Sequence, residues 1–191
     1  MLELASLLPY LAAASLMLFG MVAAIDGVWL HLWKLRLHTR AASFVEHLWH
    51  TASAVLFVPT VALLFVWHAT AGRLWLAMAL LLAIHIVELF DVRAERESRR
   101  ELGGLSRAEL SIHVLALVSR TAAISLLLLS RPAAIWSLAG VQVRETVPSI
   151  VADVGAAITL GATAIAVLHV GFAALYCPQC RRRPAMAGGG A

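Results

Sequence analysis

Five apolar runs, each long enough to cross a lipid bilayer, constrain the fold of this chain more than any other feature of its sequence. A bilayer core of about 30 Å needs roughly 20 helical residues at about 1.5 Å each. Lipid offers no water to an unpaired backbone, so each run is expected to be an α-helix. The predicted spans cover residues 7–33, 45–67, 74–91, 108–130 and 152–176.

The composition agrees with a single membrane domain. Of the 191 residues, 61% are hydrophobic and only 14% are charged, whereas soluble domains are typically about 45–50% apolar. The first run follows a start whose only charged side chain is Glu3, so it is predicted to be retained rather than cleaved as a signal peptide. We predict an all-α integral membrane domain over residues 1–176, and a short, disordered cytoplasmic tail with Cys and Arg over residues 177–191.

Basic residues predict the orientation of the five spans. Most of the 15 Lys and Arg residues lie between spans one and two, between spans three and four, or after span five. The opposite side carries only Arg73, Arg131 and Arg144. The positive-inside rule therefore places the amino terminus outside and the carboxyl terminus in the cytoplasm. We expect the protein in the inner (cytoplasmic) membrane of a bacterium, in contact with membrane lipids.

Two local signals predict how the spans are connected. Mixed acidic and basic residues at helical spacing continue span three as a solvated helix until Gly103 and Gly104 end it. Ser106 followed by Glu109 is a capping box, which predicts the start of span four. Residues 69–73 are predicted to form a tight turn between spans two and three.

Ionisable side chains gather in one layer near the cytoplasmic ends of the first four spans. Such residues cost a few kcal/mol each inside a membrane, so they are usually functional and face the protein interior. By helical rise they lie within about 10 Å of the cytoplasmic boundary. We predict that spans one to four form a bundle around this layer. The candidate ligands are Asp26, His31, His47, His50, His85, Glu88 and His113.

The spacing of these residues suggests a metal site. His47 and His50, like His85 and Glu88, are three residues apart and so project from one face of a helix. Di-iron carboxylate bundles use related Glu-x-x-His pairs on facing helices, and imidazole with carboxylate suits iron, manganese or zinc. The sequence predicts two metal ions, with iron favoured and with zinc or haem b as alternatives.

Each polar residue also has a structural interpretation. His31 and His47, with Glu46, fit ordinary interfacial residues, and His169 fits either the cluster or a satisfied core histidine. The remaining residues are predicted to be solvated, capping or interfacial: His38, His68, Asp91, Glu95 and Glu109.

Arg120 is the only basic residue inside a predicted span, about 10.5 Å beyond His113 on the same face. Its predicted role is an ion pair with Asp26, or contact with an anionic substrate or quinone headgroup.

Cys177 and Cys180 follow span five and precede three arginines that would lower the thiol pKa. They fit a dithiol, half of a zinc knuckle, or a plain reduced tail.

The layout of histidines at the cytoplasmic face resembles, in a general way, the integral membrane di-metal oxygenases such as fatty-acid desaturases and hydroxylases. The resemblance rests on His47-x-x-His50, which comes near one of their histidine boxes. The chain has no His-His doublet, so we infer no membership of that family.

Four functional hypotheses follow from the sequence. The first is a di-metal oxidoreductase or oxygenase acting on a lipid-soluble substrate or quinone, with an electron donor at the cytoplasmic face. The others are a zinc-dependent intramembrane hydrolase, a b-type haem electron carrier, and a non-catalytic structural subunit. The sequence has no recognisable nucleotide-binding loop. Membrane topology accounts for its basic charge, so we infer no nucleic-acid surface.

Overall fold

The computed structural model describes the backbone of residues 2–100, 102–139 and 143–177, with side chains from Ser6 onward. Two π-helical segments, Ile25–Lys34 and Ala62–Val66, extend the first two helices. The five helices are long and apolar enough to cross a membrane, which confirms the predicted helical fold with five apolar helices. They are α1 (Leu2–Ala24), α2 (Phe44–Val61), α3 (Ala71–Arg100), α4 (Arg107–Leu129) and α5 (Ser149–Tyr176).

The link between α3 and α4 follows its sequence signals. Gly103 and Gly104 adopt positive φ values of 83° and 92°, a conformation that glycine reaches without steric cost. Ser106 then caps α4, because its Oγ accepts a hydrogen bond from the backbone nitrogen of Glu109 at 3.2 Å. The end of α3 is less solvated than predicted, since Ser98 and Arg99 are buried.

The helices pack in the order α4, α1, α5, α2, α3. Helix α1 lies against α4 and α5, while α2 lies against α3 and α5. The predicted bundle of spans one to four is therefore incomplete, because α5 packs between α1 and α2. At one end, two connections meet through a pair of backbone hydrogen bonds, from Ala69 N to Glu145 O at 2.9 Å and from Glu145 N to Ala69 O at 3.1 Å.

An apolar core fills the half of the molecule near that end. Leu64 and Phe65 of the second π-helical segment are buried there with Leu74 of α3 and Leu127 of α4. Gly155 lets α5 approach this segment, since a Cβ at that position would lie 2.5 Å from Cβ of Phe65. The outer surface carries many exposed large apolar side chains, such as those at positions 82, 129, 160 and 167. Soluble monomers rarely expose so large an apolar surface.

Candidate metal centre

A cavity of about 430 Å³ lies among the five helices, and each helix contributes to its wall. The end of the cavity that lies toward the predicted cytoplasmic side is polar. The carboxylates there are Asp26, Glu46, Glu88, Asp91 and Glu95, and the imidazoles are His31, His50, His113 and His169. The cavity therefore gathers acidic and imidazole side chains from all five helices.

Asp26 is the centre of this cluster. Its Oδ1 lies 3.1 Å from Nε2 of His113 and 3.5 Å from Nε2 of His31. Its Oδ2 lies 4.0 Å from Nε2 of His50. Asp26, His31 and His113 each offer a donor atom within 4.8 Å of the other two, so this group could hold a metal ion.

The π-helical segment explains how Asp26 and His31 come together. The two residues are five positions apart within Ile25–Lys34. In an α-helix they would point about 140° apart. A π-helix bonds each residue to the fifth along, so residues five apart share one face. Such segments are frequent at functional sites, and here one directs both side chains into the cavity.

Two carboxylates of α3 lie beside two of the histidines. Oδ2 of Asp91 lies 3.0 Å from Nδ1 of His50, and Oε1 of Glu95 lies 3.4 Å from Nδ1 of His113. Asp91 and Glu95 are four residues apart and so lie on one face of α3. The contact of Asp91 is a hydrogen bond that holds Nδ1 of His50, whereas Glu95 lies beside Nδ1 of His113 without a hydrogen bond. Nε2 of each ring faces Asp26. Metal-binding histidines usually have such a carboxylate or carbonyl partner on the nitrogen away from the ion.

Two of the histidines that line the cavity, His31 and His169, have ring nitrogens without a hydrogen-bond partner among the described residues. The exposed fraction is 2% for His31 and 1% for His169. Within the described part of the chain, neither ring nitrogen of either residue has a hydrogen-bond partner. The ring of His169 lies 5.9 Å from that of His50, between centroids, and its Nε2 faces Gly27, next to Asp26. Buried polar groups are normally paired, so these nitrogens are available to a ligand.

A buried arginine binds Glu46, one of the carboxylates at the polar end. Arg99 is only 1% exposed. Its Nη1 donates to Oε2 of Glu46 at 2.8 Å, and its Nε donates to Oε1 of Glu109 at 2.7 Å. Glu109 also belongs to a second group of possible ligands, with Glu95 and His113. Because Arg99 already neutralises Glu109, the group around Asp26 is better prepared for a cation than this second group.

Three predicted ligands, His47, His85 and Glu88, lie outside the cluster formed by Asp26, His31, His50 and His113. His85 is exposed and does not line the cavity; its Nδ1 lies 2.6 Å from the carbonyl oxygen of Leu81 in its own helix. The predicted convergence of His85 with Glu88 is therefore wrong, because Glu88, Asp91 and Glu95 set the inward face of α3. His47 is buried behind the cavity wall, where Nε2 donates to the carbonyl oxygen of His169 at 3.2 Å.

The ion pair of Arg120 also differs from the prediction. Both terminal nitrogens of Arg120 donate to the carboxylate of Glu88, and the bond from Nη2 to Oε2 is 2.8 Å long. Asp26 is engaged by histidines instead. Glu88 thus lines the cavity as the partner of Arg120, and its charge is already balanced there.

The sequence analysis missed several members of the site. Asp91 and Glu95 line the cavity and Glu109 binds Arg99, although these three were predicted to be solvated or capping. Glu46, for which an interfacial role was the alternative, also binds Arg99. Spacings of four residues were the available signal, since they place side chains on one helix face. These spacings are Glu46 to His50, Asp91 to Glu95 to Arg99, and Glu109 to His113.

The cysteine pair stays a prediction. Cys177 is half-buried at the end of α5, while Cys180 and residues 181–183 lie outside the described residues.

Comparison of the chain with known protein families, with curated proteins and with solved structures gives no match. The function must therefore be argued from the site itself.

Proposed function

We propose that this chain is an integral membrane metalloenzyme, with its amino terminus outside and its site near the cytoplasmic face. Its ion is held by Asp26, His31 and His113, with His50 and His169 beside it. We further propose that the ion is iron and that the reaction is the oxidation of a lipid-soluble substrate or quinone. Electrons would come from a donor at the cytoplasmic face.

One observation carries the proposal: three imidazole Nε2 atoms lie 3.1, 3.5 and 4.0 Å from the carboxylate of Asp26. Donors that each lie about 2.1 Å from one ion are roughly 3–3.5 Å apart, so the distances of His113 and His31 fit shared coordination, and His50 lies just beyond it. A purely structural network is a poorer explanation, because it leaves both nitrogens of buried His31 without a partner.

The ligand set indicates the chemistry. Two histidines with one carboxylate and open positions are typical of non-haem iron(II) oxygenases. Iron bound there would supply oxygen activation. The chain itself would hold His50 beside the ion through Asp91, exclude bulk water by burial, and offer Glu95 as a proton acceptor near His113.

A second ion is part of this proposal. It would use Glu95 and Glu109 with the other ring nitrogen of His113. Since Glu109 is paired with Arg99, we expect the Asp26 group to fill first and the second group to fill more weakly.

A zinc hydrolase is the second candidate, because zinc also binds two histidines with a carboxylate and leaves a position for water. The carboxylate of Glu95, 3.4 Å from His113, would then serve as the base that activates this water. The identity of the metal separates the two candidates.

The test is elemental analysis of the detergent-purified protein, together with its visible spectrum. The wild-type protein should contain iron and show no Soret band of haem. The variants Asp26→Asn and His31→Ala should lose the iron. His85→Ala is the matched control, since this histidine lies on α3 outside the cavity and should not affect metal content. Zinc in place of iron would favour hydrolysis, a Soret band would favour a haem carrier, and equal metal in all variants would refute the proposed site.

A further inference from the structure

The cavity continues beyond Asp26 as an apolar arm. On α1 its wall is formed by Phe19, Gly20 and Ala23, which precede Asp26 by one to two helical turns. The wall residues from the other helices lie on the same side of the polar layer, within about three helical turns of its residues. They are Phe57 of α2, Ala116 and Leu117 of α4, and Ile158, Gly161 and Ala162 of α5.

Two aromatic rings line the part of the apolar arm farthest from Asp26 along the first two helices. The centroids of Phe19 and Phe57 are 4.9 Å apart in an edge-to-face arrangement. Near them, the guanidinium of Arg120 lies 5.9 Å from the ring of Phe19, while it is paired with Glu88. The arm is therefore an apolar pocket that is continuous with the polar end around Asp26.

Small side chains keep this arm open. A Cβ added at Gly161 would meet no atom within 4 Å, although this residue lines the cavity. By contrast, a Cβ at Gly20 would lie 2.5 Å from Cδ1 of Ile158, where α1 and α5 are in close contact. The free volume thus lies beside Gly161, next to the close contact that joins the two helices.

We propose that the apolar arm binds the hydrocarbon chain of a single-chain amphiphile dissolved in the membrane, with its polar group at the Asp26 cluster. This inference rests on the proposed function, because it names the substrate class of the same site. The whole cavity, including its polar end, has a volume of about 430 Å³. This volume lies within the range of roughly 300–1,000 Å³ found for ligand pockets. A pure hydrocarbon fits less well, since it would leave the polar end without hydrogen-bond partners.

The chain offers a matched pair of glycines to test this inference. Gly161 and Gly171 both lie in α5, and a Cβ at either would meet no atom within 4 Å. Only Gly161 lines the cavity. Gly161→Leu should therefore fill the arm, while Gly171→Leu changes the same helix in the same way and leaves the arm open.

The experiment uses the full-length protein in lipid nanodiscs and a long-chain alcohol with a photoreactive diazirine on its chain. Labelled peptides are mapped by mass spectrometry, and metal content is measured on the same samples. In wild type and Gly171→Leu, the label should reach Ala23 and Ala116. In Gly161→Leu, this labelling should fall about tenfold, with metal content unchanged. Ala116→Leu fills the arm from α4 and provides a second test if Gly161→Leu does not fold.

Competition identifies the class of ligand. An unlabelled long-chain alcohol should displace the probe, whereas an alkane of equal length should not. Displacement by both would refute the amphiphile, and labelling confined to lipid-facing positions such as Leu82 and Leu160 would refute the arm. A protein without metal that still labels the arm would refute the proposed function alone, so the two failures are distinguishable.

Discussion

Nδ1 of His50 lies 3.0 Å from Oδ2 of Asp91, while the other nitrogen of the same ring lies 4.0 Å from Oδ2 of Asp26. One imidazole of α2 is thus held between a carboxylate of α3 and a carboxylate of the first π-helical segment. Its orientation is set by Asp91, and its Nε2 faces the group that we propose as the metal site.

This arrangement makes Asp91 a positioning residue. Replacing Asp91 with Ala should lower metal affinity about 10–100-fold, the range typical for removal of such a partner. The affinity is measured by competition with a chelator in detergent. Asp153→Ala is the control, because Asp153 is exposed on α5 and lies roughly four helical turns before His169, the residue of α5 at the polar end of the cavity. Equal affinity in wild type and Asp91→Ala would show that the ring does not need this carboxylate.

Much of the fold is predictable from the sequence, because long apolar runs have few alternatives to helix in lipid. The capping box at Ser106 and the glycine pair after α3 also act locally, through hydrogen bonds and backbone conformation within a few residues. The layer of polar residues was predictable as well, since their depth follows from the helical rise. Asp26, His31, His50 and His113 all line the cavity as expected.

The partners of these residues were not predictable, because they depend on helix rotation and on the π-helical segment. A rotation of α3 that directs Glu88 and Asp91 inward leaves His85 outside. Arg99 was counted among the residues that set the orientation, yet it is buried between two glutamates of other helices. No single-helix pattern distinguishes such an arginine from a solvated one.

The buried Arg99 predicts a large loss of stability on substitution. Arg99→Met would leave Glu46 and Glu109 buried without their partner, which should lower the free energy of unfolding by about 3–5 kcal/mol. Arg100→Met is the matched control. Arg100 is exposed and its ion pair with Glu97, at 2.7 Å, is exposed as well, so its loss should change the free energy little. Unfolding in mixed detergent micelles measures both, and equal losses would contradict the buried network.

The pair of Arg120 and Glu88 joins α3 to α4, two helices that do not pack closely against each other. Arg120→Leu should lower the free energy of unfolding by about 1–3 kcal/mol, because it leaves the charge of Glu88 unpaired. The double variant Arg120→Leu/Glu88→Leu should recover most of this loss. The double variant Arg120→Leu/Asp26→Leu should not recover this loss. Recovery in that variant would instead show that Asp26 is the partner of Arg120, as the sequence predicted.

Gly155 and Gly161 predict opposite effects of the same substitution within one helix. A Cβ at Gly155 would lie 2.5 Å from Cβ of Phe65 and 3.1 Å from its carbonyl carbon, so α5 would have to move away from backbone that cannot yield. Gly155→Ala should therefore lower the free energy of unfolding by about 1–3 kcal/mol. Gly161→Ala meets no atom within 4 Å and should raise it by up to about 1 kcal/mol, because alanine favours the helix. Unfolding of both variants in the same micelles measures the difference, and a loss of equal size at both positions would contradict the close approach of α5 to Phe65.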